Sequence, residues 1–235
     1  MIQEFGKVGK AVGVGLAVVC GILWQGAIGW AGDDFQTWHA LEVTKRLGKS
    51  FEAFFRPEVR IRDNSGELFY HEYRQGLRWK QSEHLEIGLN YLFVRSENSS
   101  GKHRDEHTGE LDVTPKTKLG PWDLSLRGRL ALRTIEGSAG EQEYVVRLMP
   151  KVAYPTSILG HKVTPYVADD LFYDYTRDAF NQNRLFVGVS FPLAKPKGVG
   201  IGLDLFYMFQ SQLGVIRHDW SSNHILGSKI NVKLD

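Results

Sequence analysis

Arginines and carboxylates recur at every second position along several stretches of this chain. From Phe51 to Arg62, one parity carries Glu52, Arg56, Glu58, Arg60 and Arg62, and the other carries Phe51, Ala53, Phe55, Pro57, Val59 and Ile61. The same charged parity continues through Glu72, Arg74, Arg78, Glu86, Glu110, Asp112, Lys116, Lys118, Asp123, Arg127, Arg129, Arg133, Glu143, Arg147, Lys151 and Asp170. A guanidinium is a rigid fork of donors matched to carboxylate and phosphate, and such groups lining a passage bias it toward anions. The chemistry on offer is recognition of small acidic solutes, such as acidic sugars, organic acids or phosphate-bearing molecules. Arg56, Glu58, Arg60, Glu72, Arg74, Arg127, Arg129, Arg147, Asp170 and Arg184 are the residues expected to form its network. The competing reading is structural: in a narrow barrel side chains fill the interior, and pairs such as Arg56 with Glu72 neutralise one another across strands. Either way an isolated buried charge is too costly, so each needs a partner or a water-filled lumen.

Hydrolysis is the reading from a different class. His103 and His107 lie near Ser99 and Ser100, and His218 and His224 near Ser221 and Ser222. A nucleophile needs an adjacent base and an orienting acid, and no nucleophile-elbow motif surrounds these serines. The expectation is therefore a protein that is not an enzyme. His103-Arg-Asp-Glu-His107 places two histidines four apart but lacks the HExxH order and has no helix to align them. No metal or cofactor is expected.

The elements that must position these side chains are strands. Beyond residue 34 the chain repeats one unit, a run of about ten to thirteen alternating residues followed by a turn or polar loop. Strands of a soluble sandwich usually run five or six residues; about nine to eleven are needed to cross a bilayer as tilted strands. Lipid offers no hydrogen bonds, so the strands must close into a barrel. Trp38, Trp79, Trp122, Tyr154 and Tyr207 fall near segment ends, where interfacial aromatics belong. Tight connections (Gly48 to Ser50, Gln81 to His84, Gly120-Pro121) alternate with longer ones (Ser96 to His107, Glu136 to Gln142, Tyr175 to Gln182, Leu213 to Asn223).

The expected fold is all-β, a single antiparallel transmembrane barrel of roughly ten to twelve strands. Eleven segments are counted from Phe35, whereas single-chain bacterial barrels are normally even-stranded. Either a strand is merged between Glu106 and Leu119, or the segment from Phe35 to Leu47 lies outside the wall. Pro57, Pro150, Pro165 and Pro192 require an edge or bulge, and Asp169-Asp170, where the alternation slips phase, is the expected bulge. Gly227, Ile230, Val232 and Leu234 approximate the alternating terminal strand of outer-membrane proteins, with Asp235 in place of the usual aromatic.

At the N-terminus, Lys7 and Lys10 precede the apolar run Ala11 to Leu23, and Gly29-Trp30-Ala31 offers the small residues of a cleavage site. Residues 1–31 are expected to be a signal peptide cleaved after Ala31, and residues 32–235 the barrel. An uncleaved anchor is the rival, since about 20 residues span a bilayer. Val19 before the sole cysteine, Cys20, argues against a lipoprotein, and a net charge of +2 gives no indication of nucleic-acid binding. The expected location is the outer membrane, with its lipids, the barrel assembly machinery and a small anionic solute as partners.

Several segments also resemble a known family. Phe35-Gln-Thr-Trp38, Arg56-Pro57-Glu58, the run from Pro165 to Tyr173, and Phe180-Asn-Gln-Asn-Arg184 are together similar to the domain-of-unknown-function 2490 family. The resemblance covers nearly the whole chain after the export segment. It implies an exported outer-membrane barrel and implies no activity.

Overall fold

The computed structural model describes residues 34–98, 101–136, 142–194, 198–214 and 219–235. The segment expected to be a signal peptide, with its expected cleavage site and Cys20, lies outside them, as do Ser99, Ser100 and His218. Alternation becomes strand almost everywhere: β1 (Asp34–Leu47), β2 (Phe51–Arg62), β3 (Glu67–Lys80), β4 (Leu85–Glu97), β5 (His103–Leu119), β6 (Trp122–Ile135), β7 (Gln142–Ala153), β8 (Thr156–Ile158), β9 (His161–Asp174), β10 (Ala179–Ala194), β11 (Val199–Leu213) and β12 (Trp220–Leu234). The short β8 only folds back on the start of β9. Its turn, Leu159-Gly160, has φ of 51° and 81°, the paired positive values of a type I′ hairpin.

The other eleven strands form a closed wall in chain order, β1 to β7 and then β9 to β12. Closure comes from β12 pairing with β1 in parallel, from Asp34↔Asn223 to Lys45↔Leu234. Geometry requires this. An up-and-down meander with an odd number of strands leaves its first and last strands pointing the same way, so it closes only through a parallel seam. The expected barrel of ten to twelve strands is found with the eleven counted, and antiparallel pairing holds around the wall except at the seam. β5 runs unbroken from His103 to Leu119, and β1 is a full member of the wall. Parallel pairing satisfies the backbone too, and that is all the lipid environment demands.

Four of the connections are shorter than their polar sequences suggested. β4 and β5 stay paired out to Glu97↔His103, which reduces the Ser96 to His107 loop to residues 98–102. Polar side chains do not end a strand whose neighbour still supplies ladder partners. Wall strands run 12 to 17 residues, longer than the roughly nine to eleven that a tilted strand needs to cross a bilayer core. The prolines act locally: the β1–β2 ladder skips Pro57 between Ala40↔Glu58 and Val43↔Phe55, and β10 shifts register just after Pro192. The expected bulge at Asp169-Asp170 is absent, because Asp169↔Leu185 and Asp170↔Arg184 stay in register and the irregularity falls between Phe180 and Gln182. The apparent phase slip is an outward-facing Asp169, satisfied by Asn183 Nδ2 at 2.6 Å.

Outward positions are mostly apolar, with aromatic clusters toward both ends. Phe51 stacks on Trp79 at 6.2 Å and Trp122 lies 4.8 Å from Tyr154 at the rim of tight turns; Tyr173 packs against Tyr175 and Phe180 at 4.9 and 5.0 Å toward the other. Trp38 is the exception to the expected girdle. It shares the inward parity of Gln36 and Glu42 and is buried in the lumen, 6% exposed. Two inward glycines make room for rings from neighbouring strands. A Cβ on Gly188 would lie 2.5 Å from Tyr166, and one on Gly227 would overlap the Phe206 ring.

Candidate functional site

The lumen holds two charged clusters of different character. The first joins β2, β3, β5 and β6. Glu72 accepts from Arg56 (2.6 Å), Arg60 (3.2 Å), Arg74 (3.0 Å) and the Tyr70 hydroxyl (3.2 Å). Arg60 also donates to Glu58 at 2.8 Å and is held between the Trp38 and Tyr70 rings, 3.7 Å from each centroid. Arg74 reaches on to Glu110, which accepts from Arg129 at 2.8 Å; Arg129 closes the chain by gripping Asp112 at 2.6 and 2.7 Å. Asn90 donates to Asp112 at 3.1 Å from β4. Four guanidiniums meet four carboxylates here, so the cluster is neutral and fully cross-linked across the strands.

The second cluster joins β6, β7, β9 and β10 and is not balanced. Asp170, 1% exposed, is its single carboxylate. Arg147 pairs with it and stacks 4.1 Å over Phe172. Arg127 reaches Asp170 only at 3.4 Å, spends the same Nη2 on the Met149 sulfur at 3.1 Å, and buries an Nε with no partner. Arg184 donates to Gln210 at 2.9 Å and lies 5.0 and 4.9 Å from the Trp38 and Phe172 rings. It contacts no carboxylate among the described residues.

Between these clusters runs a cavity of about 1080 Å³, lined from Glu86 and Lys116 at the tight-turn rim to Asn98, Lys102 and Glu136 at the other. Its lining includes sixteen arginines and lysines against ten carboxylates. One side is apolar, where Trp38, Met208 and Ile225 pack with Phe186 and Phe206. The interior is therefore neither a dry core nor a uniformly charged bore.

The family model described as "Protein of unknown function (DUF2490)" matches residues 35–219, from the first strand into the connection before the last. The chain belongs to the DUF2490 family. Among solved structures, this DUF2490 barrel is similar to the crystal structure of the beta domain of the Bordetella autotransporter BrkA, with 11% identity over 75% of this chain and 82% of that one and a TM-score of 0.39. No curated protein matches the chain. The segments carrying the family resemblance supply Trp38, Arg56, Glu58, Tyr166, Asp170, Phe172 and Arg184, all of which line the cavity.

Of the network expected from sequence, Arg56, Glu58, Arg60, Glu72, Arg74 and Arg129 meet in the first cluster of this DUF2490 barrel. Arg127, Arg147, Asp170 and Arg184 form the second. Parity alone had not singled out Trp38, Tyr70, Asn90, Phe172 or Gln210, whose roles depend on which strands are neighbours. Of the hydrolytic candidates that are described, His103 and His107 lie on β5, and Ser221, Ser222 and His224 on β12. His107 takes a hydrogen bond with Tyr91 at 2.6 Å on β4–β5, and His224 one with Tyr207 at 2.6 Å on β11–β12. Both are strand residues and not members of loops. No cluster of three or more His, Cys, Asp or Glu groups suited to a metal occurs among the described residues.

Proposed function

We propose that this protein is an outer-membrane channel for small anionic solutes. The observation that carries the proposal is the cavity: its lining extends toward both rims, and sixteen positive side chains face fourteen carboxylates once Glu42, Glu67, Glu143 and Asp174, which pair with lining arginines, are included. Such a lumen concentrates anions and lowers the barrier to their passage. The outward apolar surface with aromatics toward both ends, borne on strands long enough to cross, is what a lipid bilayer selects. In this reading residues 1–31 are a cleaved export signal, the assembly machinery inserts the barrel, and outer-membrane lipids surround it. The protein transports and does not catalyse.

A closed structural barrel is the second reading, favoured by the apolar group of Trp38, Met208, Ile225, Phe186 and Phe206, which narrows the lumen from one side. Planar bilayers separate the two. Single-channel steps from the purified protein support the channel, and a silent protein that nonetheless fractionates with the outer membrane and shifts mobility on heating supports the closed barrel.

A further inference from the structure

We infer that Arg127, Arg147 and Arg184 form a binding site for a small dianion within the lumen. The inference rests on the lumen being water-filled, as the proposed channel requires, but it adds a ligand class and names the side chains that hold it.

Charge balance is the first argument. The cluster around Glu72 and Glu110 pairs four arginines with four carboxylates and carries no excess charge, although Arg56 Nε is left without a partner. The cluster around Asp170 pairs three arginines with one carboxylate, leaving an excess of two positive charges on β6, β7 and β10. Nearby, Lys151 lies 3.8 Å over the Tyr166 ring and shares Asp204 with Lys229, so that part of the wall does not offset the excess. Unpaired positive charge clustered on the wall of a narrow water-filled lumen raises the local concentration of anions.

Donor geometry is the second argument and is independent of the first. Arg127 has an unpartnered buried Nε, and its Nη2 makes do with a thioether and a 3.4 Å contact to Asp170. Arg184 sits against two aromatic rings and meets only the neutral amides of Gln210 (2.9 Å from Nε) and Gln182 (3.0 Å from Nη2), with Nη1 left over. These are guanidiniums held in place with donors to spare, which is what bidentate recognition of a phosphate or a carboxylate uses. A ligand of charge −2 neutralises the excess, so a phosphate monoester or a dicarboxylate fits it better than a monovalent ion.

The test uses the full-length barrel in detergent, titrated calorimetrically with inorganic phosphate, succinate and chloride at matched ionic strength. Phosphate or succinate is expected to bind at least tenfold more tightly than chloride. Arg127→Gln and Arg184→Gln should each weaken that binding by about tenfold, the loss of one charge-assisted contact, while Arg78→Gln, whose partner Glu42 lies outside the cluster, leaves it unchanged. Folding of each variant is checked by its heat-dependent gel mobility. If Arg127→Gln does not fold, Arg184→Gln decides, since that guanidinium holds no carboxylate. Dianions binding no better than chloride, or binding unchanged in Arg184→Gln, would overturn the inference. Anion-selective current without dianion binding removes the site and leaves the channel; dianion binding without current removes the channel and leaves the site.

Discussion

Arg184 stands directly opposite Asp170 in the β9–β10 ladder, yet its guanidinium turns away from that carboxylate toward Gln210 and the Trp38 and Phe172 rings. Asp170 is already committed to Arg147 and, more weakly, Arg127. A cross-strand pair that register would have supplied is therefore not made, and a cation is left facing the lumen. The contrast with Glu72, which gathers three arginines within a cluster that is neutral as a whole, gives the interior one structural side and one receptive side.

Glu72→Gln should be severely destabilising. It leaves Arg56, Arg60 and Arg74 sharing fewer carboxylates at a buried position, and breaking a buried pair by removing one partner costs about 3–5 kcal/mol. The temperature at which the unheated gel band converts to the heated one should fall sharply. Arg95→Gln, which breaks a rim pair with Asp105, should leave it where it was.

Gly188 is required by the Tyr166 ring lying over it. Gly188→Ala puts a methyl group 2.5 Å from that ring and should cost about 1–3 kcal/mol through overpacking. Tyr166→Ala removes the obstacle, so the double variant should be clearly less destabilised than the sum of the two singles. Additive losses in a thermal conversion assay would mean that the ring does not lie there.

The parallel seam offers a chemical test of closure. His39 and Ser228 are register partners on β1 and β12, and their side chains meet at 2.9 Å on the outer wall. Neighbouring strands lie within the Cα separation a disulfide tolerates, and Cys20 is the sole native cysteine. The pair His39→Cys with Ser228→Cys, in a Cys20→Ser background, should crosslink on oxidation in the folded barrel. A Thr37→Cys pairing with Ser228→Cys, one step out of register on the same face, should crosslink far less.

Much of the wall was legible in the sequence because a closed barrel with an apolar outside and a charged lumen imposes a strict period of two on long strands. The inward parity of Arg56, Glu72 and Arg129 follows from that period, as does the pairing of Arg56 with Glu72 on adjacent strands. Parity misled at two places for definable reasons. Trp38 looked like a girdle residue because tryptophan favours interfaces, but its even position among Gln36 and Glu42 turns it inward, where it supports Arg60 and Arg184. Asp169 looked like a bulge because it is polar on the outer face, and its hydrogen bond with Asn183 needs no bulge.

Closure and the receptive cluster were not legible. The parallel seam follows from eleven strands only once β1 is known to belong to the wall, which no local pattern encodes. Arg127 meets Asp170 from β6, across β7, and Arg184 meets Trp38 from the far side of the seam. Those contacts depend on barrel curvature and on side-chain reach across non-adjacent strands.

The central claim is tested most directly by the reversal potential of the purified protein in a planar bilayer under a potassium chloride gradient. A potential displaced toward the chloride equilibrium value, and moved back toward zero by Arg184→Gln, is the expected result. A displacement toward the potassium value, or no current from protein that is demonstrably folded and inserted, would contradict it.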